Sequence, residues 1–189
     1  MNHQDLSTLN EIVAEFDQST PITHQAVQRW METHDIEAMG ALMSLLADDK
    51  HSQRIEPAVT FEEYFPFATR YYERNLLENP DGEWSDSRTT AGFDCSRMFI
   101  QLWEDRPAYD REITQLKSLF KRLCEEGNEE FRSNFVIAVL EHLFQTGEIA
   151  DYFSDWQNNS LLDAAYTEAR MLADMRHRRH ERDTAGSPD

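Results

Sequence analysis

Basic side chains are scarce in this chain. It has 18 Lys and Arg against 36 Asp and Glu, a formal net charge of −18 over 189 residues. A field of that sign repels DNA, RNA and anionic membranes and steers basic proteins inward. Turn-forming residues are also few, with six Gly and six Pro, which excludes an all-β design built on many tight turns. The two cysteines, Cys95 and Cys124, lie 29 positions apart with no Cys-x-x-Cys pair. That spacing excludes a zinc ribbon and a disulfide framework, and both thiols read as small core residues. No stretch approaches the ~18 to 20 apolar residues of a membrane span. The first residues, Met1-Asn2-His3-Gln4-Asp5, lack the basic and apolar regions of a signal peptide, so the expected location is the cytoplasm, away from any membrane.

Catalytic patterns are missing as well. A carboxylate-bridged metal site in a helix bundle needs Glu-x-x-His on two helices, and the chain has none. His34 and Glu37 are three apart, but Asp35 between them reads as a helix cap. Asp174 and His177 are three apart within an arginine-rich helix end. There is no glycine-rich phosphate loop, no Gly-x-Ser-x-Gly elbow and no zinc-protease helix. No catalytic, cofactor-binding or metal-binding residue is assigned, and the expectation is a protein that is not an enzyme and carries no cofactor.

What is present is a core and a succession of helices. Hydrophobic residues make up 40% and aromatics 11% of the chain, enough to offset the charge and favour folding over disorder. Apolar residues recur at helical spacing from Leu9 to Phe16, from Ala26 to Met31 and from Met39 to Leu46. Thr23 and Asp35 stand where caps belong. Thr60-Phe61-Glu62-Glu63 is a capping box ahead of a tyrosine-rich helix, in which Pro66 predicts a kink or a division in two. Pro107 suits the first turn of a later helix, and Gly127 suits a left-handed stop. Asn128 then caps the most apolar helix, about 129 to 146. Ser160 with Asp163 opens the last helix, whose end is basic. The predicted fold is all-α: a single compact bundle of about seven to eight helices in hairpins, without significant β-sheet. The expected domain is 1–183, with halves 1–79 and 91–183 packed together and a disordered tail at 184–189.

The negative charge is concentrated late in the chain. Residues 125–174 hold eleven acids against Arg132 and Arg170. Acids near helix N-termini have a purely stabilising explanation, which covers Glu129, Glu130 and Asp163 well. It covers Glu141 poorly, because that residue lies inside the most apolar helix. With Ile137 one turn before it, Glu141 marks either a contact surface or a second layer of core. The candidate partner-binding residues are Glu126, Glu129, Glu130, Glu141, Glu148, Asp151 and Asp155, with Trp156 as an anchor inside the acidic rim.

The run Leu119-Phe120-Lys121-Arg122-Leu123-Cys124-Glu125-Glu126-Gly127-Asn128-Glu129-Glu130-Phe131 leads into Val136-Ile137-Ala138-Val139-Leu140-Glu141-His142-Leu143. Over about residues 119 to 160 it resembles the small helical immunity proteins of bacterial contact-dependent inhibition and other polymorphic toxin systems. That resemblance implies direct binding to a toxin domain, often a basic nuclease, and transfers no catalytic site. The expected function is an acidic inhibitor of a basic protein partner, with no direct contact to nucleic acid or membrane. Two other readings share the composition: a helical chaperone or adaptor for another protein, and a nucleic-acid mimic.

Overall fold

Several helices begin at side-chain caps chosen by local chemistry. The Thr23 hydroxyl accepts from the Ala26 amide and the Asp35 carboxylate from the Ala38 amide. Asn128 accepts from Phe131. Thr60 and Glu63 close the full capping box, each side chain on the other's backbone amide. Each cap satisfies an amide that the first helical turn leaves without a partner. The computed structural model describes residues 3–185, with side chains described over 7–179. Helices make up 77% of the chain, so the all-α expectation stands. Among the described residues the helices number about ten rather than seven to eight. The difference arises where short polar stretches form single turns and where one expected helix divides. The chain falls into two compact units, residues 1–88 and 89–189.

The first unit contains α1 (His3–Ala14), which tightens into a 3-10 turn at Glu15–Asp17, then β1 (Ile22–Thr23), α2 (His24–Met31), α3 (Ile36–Ala47), α4 (Asp49–Ser52), β2 (Ile55–Glu56) and α5 (Phe61–Glu78). The two strands pair in parallel, Ile22 opposite Ile55. They are two residues each and amount to a clasp. Ile12, Val27, Leu42, Leu45, Ala68 and Leu76 are fully enclosed. Pro66 neither breaks nor divides α5, which runs through it as one helix with the proline exposed. Asn79 ends α5 in the left-handed region, φ 48°, as an amide side chain permits.

The stretch from Asn79 to Ser87 has no helix of its own and is held at Trp84 and Ser85 by the Glu37 carboxylate and at Asp86 by the Tyr71 hydroxyl. Glu37, in the first turn of α3, accepts from the Trp84 amide at 2.9 Å, the Ser85 amide at 3.2 Å and the Ser85 hydroxyl. Burial pushes this carboxyl up, but the bonds from Ser85 and Trp84 outweigh it and hold its pKa below the usual range. Gly40, one turn along α3, lets the loop backbone lie against the helix. Trp84 itself is half-buried and stacks on Phe16, centroids 5.1 Å apart.

The second unit contains most of α6 (Arg88–Glu104), then α7 (Asp110–Glu126), α8 (Glu129–Phe135), a π turn (Val136–Leu140), α9 (Glu141–Phe144), α10 (Gly147–Tyr152), a 3-10 turn (Ser154–Asn158) and α11 (Ser160–Ala185). The segment from α8 through the π turn to α9 is continuous. Its aromatic core joins Phe99, Phe120, Phe135, Phe144, Phe153 and Tyr166 through edge and tilted contacts. α6 crosses the π turn closely at Gly92, where a Cβ would come within 2.6 Å of Ala138.

Three local expectations change. Pro107 lies in the turn before α7, which starts at Asp110. Gly127 is extended, φ −69° and ψ 152°, rather than left-handed, because the chain must enter the Asn128 cap in the extended form that capping requires. Asn159, not Ser160, caps α11, its side chain accepting from the amides of Leu161 and Leu162. Of the expected tail, Thr184 and Ala185 belong to α11, and 186–189 lie outside the described residues. Among the described residues no helix is long and apolar enough to cross a membrane.

Candidate functional site

The acids assigned from the sequence, Glu141 apart, stand in two places of the second unit. The first is the corner between α7 and α8. α7 ends on Glu125 and Glu126, the chain turns through Gly127 and Asn128, and α8 opens on Glu129 and Glu130. The corner is tight and fixed. Asn128 accepts from Phe131 at 2.8 Å, and the Arg132 guanidinium donates to the Gly127 carbonyl. A Cβ at Gly127 would lie 2.8 Å from the Leu123 carbonyl oxygen, so the turn admits no bulkier residue without opening. Four carboxylates therefore project from a short, well-determined stretch of backbone.

Two of the four carry partners. Glu125 faces Lys121 at 4.0 Å and accepts from the Asn159 amide at 3.3 Å. Glu126 faces Arg122 at 3.8 Å and keeps 62% of its side chain exposed. Pairs that open and that distant neutralise little charge. Glu129 and Glu130 are exposed and form no ion pair among the described residues.

The second place is the stretch from α10 into the 3-10 turn. Glu148 pairs with Arg106 at 2.9 Å and Asp155 with Lys117 at 2.5 Å. Lys117 also donates to the Tyr152 carbonyl and sits 4.2 Å above the Tyr152 ring, so it pins this stretch onto α7. Asp151 lies between the two pairs, exposed and without an ion pair among the described residues. The sequence-assigned acids thus divide into a corner with free charge and a segment with its charge largely engaged.

Two assigned residues are not on the surface. Trp156 is 1% exposed. The 3-10 turn folds it inward, edge-on to Phe153 at 5.1 Å, so it is a core plug and not an anchor for a partner. Glu141 is 4% exposed and forms an ion pair with Arg176 of α11. It follows the π turn and belongs to the second layer of core, not to a contact surface. Its neighbour His142 lies edge-on to Phe93 at 4.8 Å. Burial, and after it the Arg176 charge, hold that imidazole below its usual pKa against the pull of Glu141.

A second charged constellation, in the first unit, was not read from the sequence. The His24 imidazole places Nδ1 2.9 Å from the Pro57 carbonyl and Nε2 2.8 Å from Glu63. Both partners only accept, so both ring nitrogens donate and the ring is an imidazolium. The bond to Glu63 and that to Pro57 raise its pKa. Glu63 in turn is held at about 2 by the Thr60 amide, then by Gln28 and His24. The pair is separated by 39 positions, and no local signal reveals it. Cys95 and Cys124 are buried and their thiols pushed up by that burial, Cys124 to about 12, which leaves them unsuited to nucleophilic chemistry at neutral pH.

The chain matches no protein-family model, no curated protein and no solved structure.

Proposed function

We propose that this protein is an acidic inhibitor that binds a basic protein, in the manner of an immunity protein that neutralises a toxin domain of the nuclease type. The observation that carries the reading is the α7–α8 corner. There Glu126, Glu129 and Glu130 are all exposed, the last two unpaired among the described residues, on a turn fixed by the Asn128 cap and the Arg132–Gly127 bond. Carboxylates on a fixed turn require no backbone ordering on docking, and they attract a positive surface before contact. Asp151 adds a further exposed charge. The overall −18 reinforces the steering and disfavours nucleic acid as a direct ligand.

The test compares wild type with the triple variant Glu126→Lys, Glu129→Lys, Glu130→Lys as bait in lysate of the native host. A basic protein retained by wild type is then purified, and its association rates with both baits are measured by surface plasmon resonance. The variant should associate at least ~10-fold more slowly at low salt, with the gap narrowing as added salt shortens the screening length. A gene for a basic toxin beside this one would accord with the result. Equal association rates at low salt would refute the proposal.

A further inference from the structure

α11 turns one face to the core and the other to solvent. Leu162, Ala165, Ala169 and Ala173 are buried on the first. On the second, Glu168, Met171, Met175 and Arg178 are all exposed. Met171 and Met175 are 54% and 48% exposed, two of the five large apolar side chains that stand in solvent among the described residues. Glu168 and Arg178 flank them. Arg178 donates to the Asp174 carbonyl of its own helix at 3.4 Å, and neither it nor Glu168 forms an ion pair among the described residues. Exposed methionines taken singly are ordinary, but the spacing of these four residues gives them a shared use.

The intervals along Glu168, Met171, Met175 and Arg178 are three, four and three, the rhythm of a coiled-coil seam. At 1.5 Å per residue the seam is about 15 Å long. Read backwards it repeats itself with the charges exchanged: acid, methionine, methionine, base. An antiparallel copy therefore sets Glu168 against Arg178 and Met171 against Met175, then repeats both pairs beyond a two-fold axis. Such a contact is isologous and closes at two subunits. A parallel copy would set Glu168 on Glu168 and Arg178 on Arg178. Methionine suits the centre because its unbranched chain adapts to what it meets. Asp174 stands beside the axis and approaches its own copy there, and Arg170 and Arg178, one turn away on the same helix, offset that repulsion. The net charge of −18 opposes association of two copies. The seam itself does not share that sign, since residues 170–179 hold four arginines against Asp174 alone. At ~0.15 M salt the Debye length is ~8 Å, so distant carboxylates are screened while pairs in contact are not.

We propose that α11 pairs with α11 of a second copy of this chain in antiparallel register, with Met171 and Met175 at the centre and two Glu168–Arg178 ion pairs outside them. One helix face on another falls below the ~1,200 Å² of a standard interface. The dimer is accordingly weak, half-formed at roughly 100 µM chain.

The test is sedimentation equilibrium of the full chain from ~10 µM to ~1 mM at ~0.15 M salt, with circular dichroism to check the fold of each variant. A reversible monomer–dimer equilibrium is expected. Met171→Gln with Met175→Gln leaves the net charge unchanged and should weaken the dimer at least ~10-fold by removing its apolar centre. Glu168→Arg changes the net charge by +2, from −18 to −16, which through self-repulsion alone would favour association. In the antiparallel register it sets arginine on arginine twice, and it should instead weaken the dimer at least ~5-fold. Glu168→Arg with Arg178→Glu restores both pairs in exchanged order at the original net charge, and should return the affinity to within ~3-fold of wild type. The proposal fails if the wild-type chain stays monomeric to ~1 mM, or if the methionine variant associates as tightly as wild type. It fails equally if Glu168→Arg tightens the dimer, or if the double exchange is no tighter than Glu168→Arg. Should the methionine variant not fold, the charge exchange decides alone.

Discussion

Gly40→Ala should destabilise the protein, although glycine-to-alanine changes inside helices ordinarily do the opposite. The intrinsic gain is ~1 kcal/mol, because alanine restricts the unfolded chain and favours the helix. Against it stands the backbone of the loop that Glu37 holds. A Cβ on Gly40 would lie 2.5 Å from the Trp84 carbonyl carbon and 2.9 Å from the Ser85 nitrogen. Backbone cannot rotate aside as a side-chain tip can, so the loop must retreat by about 1 Å to reach ordinary contact distance, a shift of the kind that costs ~1–3 kcal/mol in packed sites. The same retreat stretches the bonds from Trp84 and Ser85 to the Glu37 carboxylate, now 2.9 and 3.2 Å. Bonds to a charged acceptor contribute ~1.5–3 kcal/mol each, and the lower value suits a partly exposed loop. Losing both, adding the strain and subtracting the helix gain leaves a net loss of about 3–5 kcal/mol. Urea unfolding followed by circular dichroism should show the midpoint falling by about 1 M or more. Amide exchange at Trp84 and Ser85 should accelerate in step. Gly147→Ala is the control, since a Cβ there meets nothing within 4 Å, and it should stay within ~0.5 kcal/mol of wild type. A Gly40→Ala protein as stable as wild type, with Trp84 and Ser85 amides still protected, would show that the loop does not rest on α3 as described.

The remaining expectations concern charge and burial. Removing Arg176 (Arg176→Gln) should cost more than neutralising Glu141 (Glu141→Gln), by roughly 2 kcal/mol in chemical denaturation. The first change strands a buried carboxylate, whereas the second frees a half-exposed arginine to return to water; equal losses would contradict the assigned burial. The His24–Glu63 pair should make stability depend on pH in two limbs. The raised His24 pKa contributes stability that is fully present below its unfolded value of 6.5 and is lost as pH rises through the folded value. Glu63 contributes stability present above its unfolded value of 4.5 and lost as pH falls toward about 2. Denaturation midpoints across pH 3 to 9 should therefore lose both limbs in His24→Gln with Glu63→Gln, and an NMR titration of His24 at or below the ordinary histidine value would refute the paired imidazolium. Cys95 and Cys124 should resist a disulfide-exchange reagent at pH 8 until denaturant is added, because both are enclosed and their thiolates disfavoured; prompt labelling of the native protein would refute it.

Most caps, decided within one helical turn, were legible in the sequence, although the Asn159 cap and the extended Gly127 were not. Thr23, Asp35, Thr60 and Asn128 act as caps because a short polar side chain reaches amides two or three positions ahead whatever the rest of the chain does. The acidic corner was legible for the same reason: Glu125 to Glu130 is a contiguous stretch, and its turn is set by its own residues. Features decided by packing between distant segments were not. Trp156 looked like an anchor because it follows Asp155 in an expected loop beside Asn158 and Asn159, yet the 3-10 turn rotates the indole onto Phe153. Glu141 was ambiguous until the position of Arg176, 35 residues on, was known.

The wide turn at Val136–Leu140 bears on how this helix can change length. A regular helix advances about 100° per residue, and a five-residue loop of wider pitch absorbs close to one residue's worth of that rotation. Upstream, Phe131 and Phe135 keep their bearing toward the centre; downstream, Leu143 and Phe144 keep theirs. The slack between them is a single amino acid. Excising one residue inside the wide turn would tighten the coil to ordinary pitch while both flanks stayed in phase, whereas the same excision in α7 would swing every later side chain a quarter-turn out of place. Indels along this rod therefore have one natural seam.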